Sequence, residues 1–143
     1  MRKITTAEVE YISFQLAKKL LGKEEPIPEF STRFPNILES CLAVLFQKFS
    51  KRDIYPTLID KASILYYLMI KNHPFQNGNK RIATTTLLVF LYKNYKWLKV
   101  DNQEFYNFSM WVAQSPAKLK DAVVDGTKKF IISYLIDLKK HVG

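Results

Sequence analysis

The run from Ile82 to Tyr92 constrains this chain more than any other stretch. Ile82, Ala83, Leu87, Leu88, Val89, Phe90 and Leu91 leave almost no polar side at helical spacing. A helix that is apolar nearly all round has to be buried on every side. The chain's 143 residues can enclose one core at about two-thirds burial of the unfolded surface. The run therefore predicts the central helix of an all-α bundle, within a single domain spanning residues 1–143. Immediately upstream lies Asn72-His73-Pro74-Phe75-Gln76-Asn77-Gly78-Asn79-Lys80-Arg81, where an imidazole, carboxamides on both sides of a glycine and two adjacent cations meet. A loop whose downstream end is sunk in the core is held rigidly.

The other elements follow from periodicity and caps. Thr5-Thr6-Ala7-Glu8 has the form of a capping box and opens a helix with Val9, Ile12, Leu16 and Leu20 at helical spacing, stopped by Gly22. Residues from Lys23 to Pro35 include Pro26 and Pro28 and form a proline-stiffened linker. Leu38, Leu42, Leu45, Phe46 and Phe49 mark a second helix ending near Ser50, and the segment from Ser50 to Pro56 is expected to be a short extended arm. Thr57 to Asp60 repeats the capping pattern before a third helix with Leu58, Ala62, Leu65, Tyr66 and Met69 inward. Pro74 disfavours the helical region for His73, which predicts an extended backbone there. Lys93-Asn94 ends the central helix, and Trp97, Leu98 and Val100 suit a short extended piece. Asp101 or Asn102 caps a helix with Phe105, Phe108 and Val112 inward. Ser115-Pro116 opens a short one with Leu119 and Val123, broken at Asp125-Gly126. A last helix carries Phe130, Ile131, Tyr134, Leu135 and Leu138, with lysines at its end. The total is six or seven helices.

Several function classes drop out. A lone cysteine, Cys41, excludes an internal disulfide and any cysteine-based metal spacing, and its apolar helical setting reads as a small buried hydrophobe. No apolar run reaches the length that spans a bilayer. Met1-Arg2-Lys3-Ile4 runs into a helix cap without an apolar leader, so a cytoplasmic, reducing location is expected. The net charge is +9, yet its lysines, Lys18, Lys23 and Lys140 among them, are scattered along the chain without one recognition helix. That argues against nucleic acid and leaves a solvated basic face or attraction to acidic and phosphorylated partners.

The loop before the central helix carries the chemistry. Gly78-Asn79 at a helix start presents N–H groups and about half a positive charge, which favours an anion. Lys80 and Arg81 stand at the end of a helix where cations are unfavourable, unless a polyphosphate lies over it, Arg81 as a fork and Lys80 as a point charge. Gly78 allows close backbone approach or a positive φ. Asn79 can brace the loop, donate to phosphate or cap the helix. Phe75 reads as the anchor of the loop. Imidazole ordinarily titrates near neutral pH, which suits His73 to take a proton from an attacking hydroxyl, against the plainer role of closing the preceding helix.

His73-x-Phe75-x-Asn77-Gly78-Asn79-Lys80-Arg81 resembles the Fic/Doc signature, His-x-Phe-x-(Asp/Glu)-(Gly/Ala)-Asn-(Gly/Lys)-Arg, and Arg33 to Leu42 and Ile54 to Asn72 are similar to segments of the Doc branch in the same order. The resemblance implies a helical bundle with the active-site loop before its central helix and a short flap that aligns the target. The flap is placed at Lys51, Arg52, Ile54 and Tyr55, an ordinary surface loop being the other reading. It implies a nucleotide-dependent transferase acting on a Ser/Thr hydroxyl of a protein, with ATP or another nucleoside triphosphate as substrate and Mg²⁺ beside it. Lys80 is the Doc form of its position, and Thr84 stands where the AMP-transferring form has a second arginine, so transfer of the γ-phosphoryl is the favoured chemistry and AMP transfer the alternative. The metal-holding acidic position is Asn77, an oxygen ligand without charge, which leaves a non-catalytic nucleotide- or protein-binding module as a third reading. Doc proteins are toxins with elongation factor Tu as target and a small antitoxin as partner. Thr6-x-x-x-Glu10 only partly matches the inhibitory motif that some relatives carry in their own chain, so inhibition in trans is expected.

Overall fold

The structure, a computed structural model, describes residues 1–20 and 26–139. Gly22, Lys23 and Lys140 lie outside the described residues. Six helices make up the described fold. The first, α1, covers residues 6–20 in three consecutive pieces: Thr6–Glu8, a π-helical turn Val9–Ser13, and Phe14–Leu20. It is followed by α2 (Ile37–Val44), α3 (Leu58–Lys71), α4 (Asn79–Lys93), α5 (Asn102–Gln114) and α6 (Lys120–Tyr134). Strands β1 (Lys48–Phe49) and β2 (Arg52–Asp53) form one antiparallel hairpin, and β3 (Lys96–Leu98) pairs antiparallel with β4 (Leu135–Asp137). No described helix is long and apolar enough to cross a membrane.

The all-α reading holds, and α4 is the buried centre. Ile82 to Leu91 are all buried, including Thr84, Thr85 and Thr86. It packs against α1, α3, α5 and β3. Its threonine hydroxyls are consumed locally: Thr84 bonds the buried Tyr66 hydroxyl at 3.0 Å, and Thr85 donates to the Ser13 carbonyl at 2.9 Å. Burial pushes the Tyr66 hydroxyl pKa far up, only partly offset by its bonds to Thr84 and Ser109. Both capping boxes form. Thr5 and Glu8 exchange bonds at the start of α1, as do Thr57 and Asp60 at the start of α3.

Several sequence expectations give way, each for a local reason. The stripe expected on α1 is rotated: Ile12 is exposed while Val9, Ser13, Phe14 and Ala17 are buried. The π turn adds a residue to one turn and shifts every later side chain around the axis. Phe49 is not on α2, which ends at Val44; it sits on β1 and is 76% exposed. Gly126 does not break the last helix. A Cβ there would meet the Trp111 ring at 2.9 Å, so the missing side chain is the seat of an indole within α6. Ser115-Pro116 leads into a single 3₁₀ turn with Leu119 exposed. Leu135 leaves the helix because β4 is recruited to pair with β3.

Two stability outcomes follow. Thr85→Val should cost about 1 kcal/mol through the lost bond, whereas Thr86→Val should be neutral or stabilising, because the buried Thr86 hydroxyl has no partner among the described residues; urea unfolding of the pair measures this. Burial opposes charge on Glu8, but Lys93 at 2.5 Å and Thr5 outweigh it and hold the carboxyl below its ordinary 4.5. Burial likewise opposes Asp60, which Lys128 and Thr57 hold below 3.8. Both contributions are complete above those ordinary values and are lost as pH falls through the lower folded ones. The urea midpoint should therefore drop on going from about pH 7 to about pH 3, and drop less in Glu8→Gln.

Candidate active site

The loop from His73 to Gly78 joins two helices that are fixed by other means. At the end of α3, the Asn72 N–H donates to the Leu68 carbonyl at 2.9 Å, and the Lys71 ammonium reaches the Ala113 and Ser115 carbonyls at 3.2 and 2.6 Å, tying this end to α5. At the start of α4, Gly78 is the N-cap with φ +70°, and its carbonyl accepts the first helical bond from Ile82 at 3.0 Å.

His73 departs from the extended backbone predicted for it: its φ is +48°. Pro74 rules out only the right-handed helical region, and the chain must turn sharply out of α3. Histidine is one of the few residues with a side chain enriched in the left-handed region. The ring stays exposed. Pro74 and Phe75 behind it are buried, with Phe75 1% exposed and its ring 5.0 Å from Phe14 and 6.0 Å from Phe30.

Asn79 holds the loop closed. Its Oδ1 accepts the Phe75 N–H at 3.0 Å and its Nδ2 donates to the Phe75 carbonyl at 2.9 Å. Those two bonds fix which end of the carboxamide is nitrogen. Nδ2 then also faces His73 Nδ1 at 3.5 Å. That contact is at the outer limit of a hydrogen bond, and it places the imidazole beside the positive end of α4. Of the three roles open to Asn79 in the sequence, bracing is the one its contacts describe.

Lys80 and Arg81 follow in the first turn of α4, both half-buried. The Arg81 guanidinium donates to the Ala17 carbonyl on the last turn of α1. A planar fork can hold a carbonyl along one edge and an oxyanion along another. Asn77 turns its Oδ1 to the Gly78 N–H at 3.0 Å. Among the described residues no group of three or more His, Cys, Asp or Glu could hold a metal ion. Asn77 supplies one neutral oxygen, already engaged, whereas protein-bound magnesium in nucleotide sites relies on one or two carboxylates. These residues do not make a resident magnesium site.

The wall of the loop was not legible in the sequence. Residues 26–34 run along it. Ile27 Cδ1 and the Pro26 carbonyl lie 2.9 and 3.4 Å from where a Cβ on Gly78 would be, Phe30 packs on Phe75, and the Phe34 N–H donates to the Pro74 carbonyl at 3.0 Å. Arg33 closes this segment onto α2 through Glu39 at 3.0 Å. The prolines announced a stiff segment but not where it lies. The expected flap is elsewhere. Tyr55 sits at the N-terminal end of α3 and His73 beyond its C-terminal end, separated by about 20 Å of helix. Lys51, Arg52 and Ile54 are exposed on and beside that hairpin. Cys41 is 1% exposed; burial pushes its thiol up to about 11, partly offset by a bond from the Asn72 side chain.

The model of the Fic/DOC family matches residues 3–91, which include α1, the wall segment, the loop and nearly all of α4. No curated protein and no solved structure matches the chain.

Asn79→Ala should cost about 2 kcal/mol by removing two buried bonds. Asn79→Asp should recover part of it, since a carboxylate can accept from the Phe75 N–H but cannot donate to its carbonyl. Equal stability of all three proteins in chemical denaturation would remove the brace from this account.

Proposed function

The chain belongs to the Fic/DOC family, whose members generally transfer nucleotide-derived groups from nucleoside triphosphates to proteins, and from that premise we propose that it transfers the γ-phosphoryl of ATP to a Ser/Thr hydroxyl of a protein. The observation that carries this reading is the conjunction at the start of α4. A left-handed glycine N-cap opens the buried helix, Lys80 and Arg81 stand in its first turn, and the exposed His73 ring lies 3.5 Å from Asn79.

In the proposed step His73 accepts the proton of the attacking hydroxyl. The hydroxyl oxygen forms a bond to the γ-phosphorus, the bond from that phosphorus to the β–γ bridging oxygen breaks, and the leaving diphosphate keeps the electron pair. The end of α4, with Lys80 and Arg81, stabilises the charge on the phosphate oxygens. Gly78 supplies the positive φ that turns the chain into α4. Asn79 serves by holding the loop and the imidazole. Any magnesium would come with the ATP substrate, and of the loop's side chains the Asn77 amide oxygen would be the one to meet it, in addition to its bond from the Gly78 N–H.

Transfer of γ-phosphoryl rather than AMP is supported by Thr84. The position that would carry the second phosphate-binding arginine is 4% exposed and bonded to Tyr66, so it faces the core. The same feature supports reading the chain as Doc-like, with elongation factor Tu as the first target to test and a small acidic antitoxin as the partner suited to a charge of +9. Residues 26–34 are the segment positioned to guide a target to His73; Lys51, Arg52, Ile54 and Tyr55 would act only as a remote contact. A second reading, binding of nucleotide without transfer, is favoured by one observation: Asn77 lacks charge and its oxygen is turned to the Gly78 N–H.

Incubation of a bacterial lysate with ATP labelled at the γ or at the α position separates these readings. Label on protein from the γ position alone, lost in His73→Ala, is the expected result. Label from the α position would establish AMP transfer instead. No label from either, with ATP still raising the melting temperature, would support the binding module, and Asn77→Asp should then restore transfer.

A further inference from the structure

The hairpin before α3 has no part in that reaction, yet it is built with some care. Three rungs form it: Gln47 opposite Ile54, through the Ile54 N–H on the Gln47 carbonyl at 3.1 Å, then Lys48 opposite Asp53 and Phe49 opposite Arg52. The turn is Ser50-Lys51 with φ of +50° and +67°. Two-residue hairpin turns of this kind usually take Asn-Gly, because residues with side chains are strained at positive φ. An isolated two-stranded hairpin is only marginally stable.

Its root is clamped from below. Lys61 in α3 is 2% exposed. Its ammonium donates to the Tyr55 carbonyl on one leg of the hairpin and lies 5.0 Å from the ring centre of Phe46 on the other. Lys3 stands over the same ring at 4.7 Å. An ammonium buried with one carbonyl acceptor is costly, and what it achieves here is to fix both legs of the hairpin to the body of the protein.

The clamped hairpin presents an incomplete surface. Strand alternation puts Phe49, Arg52 and Ile54 on one side, with Phe49 76% and Ile54 47% exposed. Among the described residues each strand has one neighbour, so both outer edges offer backbone N–H and C=O groups. Cations on a short edge are ordinary protection against unwanted pairing. A bare phenylalanine and isoleucine beside them are what such protection removes.

We propose that this hairpin is a docking edge for an extended acidic segment of a partner protein, which adds as a third strand, places an apolar side chain against Phe49 and Ile54, and sets a carboxylate at Arg52. Charge selects the partner. Lys48, Lys51 and Arg52 outnumber the single Asp53, on a chain of net charge +9. The open backbone edge selects an extended polypeptide over nucleic acid, for which one aromatic ring makes no stacking platform. The proposal does not rest on the transfer reaction, since the hairpin root is separated from His73 by the length of α3.

Fluorescence anisotropy with the labelled octapeptide Val-Ser-Glu-Ser-Val-Ser-Glu-Ser, which presents valine and glutamate on the same face of a strand, tests it in the absence of nucleotide. The expected result is saturable binding that Arg52→Glu and Phe49→Ser each weaken at least tenfold, with no binding of the same peptide carrying lysine in place of glutamate. Both substitutions are at exposed positions, and unchanged melting temperatures would show that the fold is intact. Lys61→Met, which frees the root while leaving the docking side chains in place, should also weaken the peptide. Equal binding of both peptides, indifference to Arg52→Glu and Phe49→Ser, or displacement by a single-stranded oligonucleotide alone would overturn the proposal. So would a dimer in sedimentation that Phe49→Ser dissolves, because the occupant would then be a second copy of the chain.

Discussion

The carboxamide of Asn79, closed on both backbone polar groups of Phe75, is the contact on which the rest of the site depends. A six-residue loop between two helices would otherwise have many conformations. Here one side chain, buried in the first turn of α4, satisfies the N–H and C=O of the residue whose ring is sunk between Phe14 and Phe30. Loop and core are thereby made one body. His73 inherits that order: its left-handed backbone is a strained conformation, and it persists because both sides of it are over-determined, by the end of α3 and by Pro74-Phe75.

The same contact organises the electrostatics. It brings an imidazole, a lysine and an arginine to the positive end of a 15-residue helix, where an anion is favoured and cations are not. Arg81 shows how such a cluster is kept in a folded protein: part of its guanidinium is held by the Ala17 carbonyl, at the negative end of α1. The core behind accepts polar groups on the same terms. Tyr66, Thr84 and Thr85 are buried with partners, which is why so many threonines can sit in a helix at the centre of a bundle.

Much of this was legible because it is local. Both capping boxes, the burial of Ile82 to Leu91, the stop at Asn94 and the loop's chemical character follow from residues within a few positions of one another. What misled were places where a distant segment overrode the local pattern. Gly126 looked like a helix breaker and proved to be the seat of Trp111. Leu135 had helical spacing and was drawn into a strand by Lys96–Leu98. Ile12 lost its buried place to a π turn, where Ser13 meets Thr85 of α4. The extended arm was read correctly as non-helical, but its position relative to the loop could not be read from its composition.

By itself the sequence determined the class of fold, the helix that had to be central, and the chemical make-up of the loop before it, because hydrophobic periodicity, capping and charge act over single turns. Only the tertiary structure decided which segment walls the loop, which way Asn77 and Asn79 turn their amides, and which end of α3 carries the hairpin. Those are matters of packing between residues as far apart as Ile27 and Gly78. The sequence supplies the shapes and charges of such residues, but their meeting depends on the whole core closing around α4.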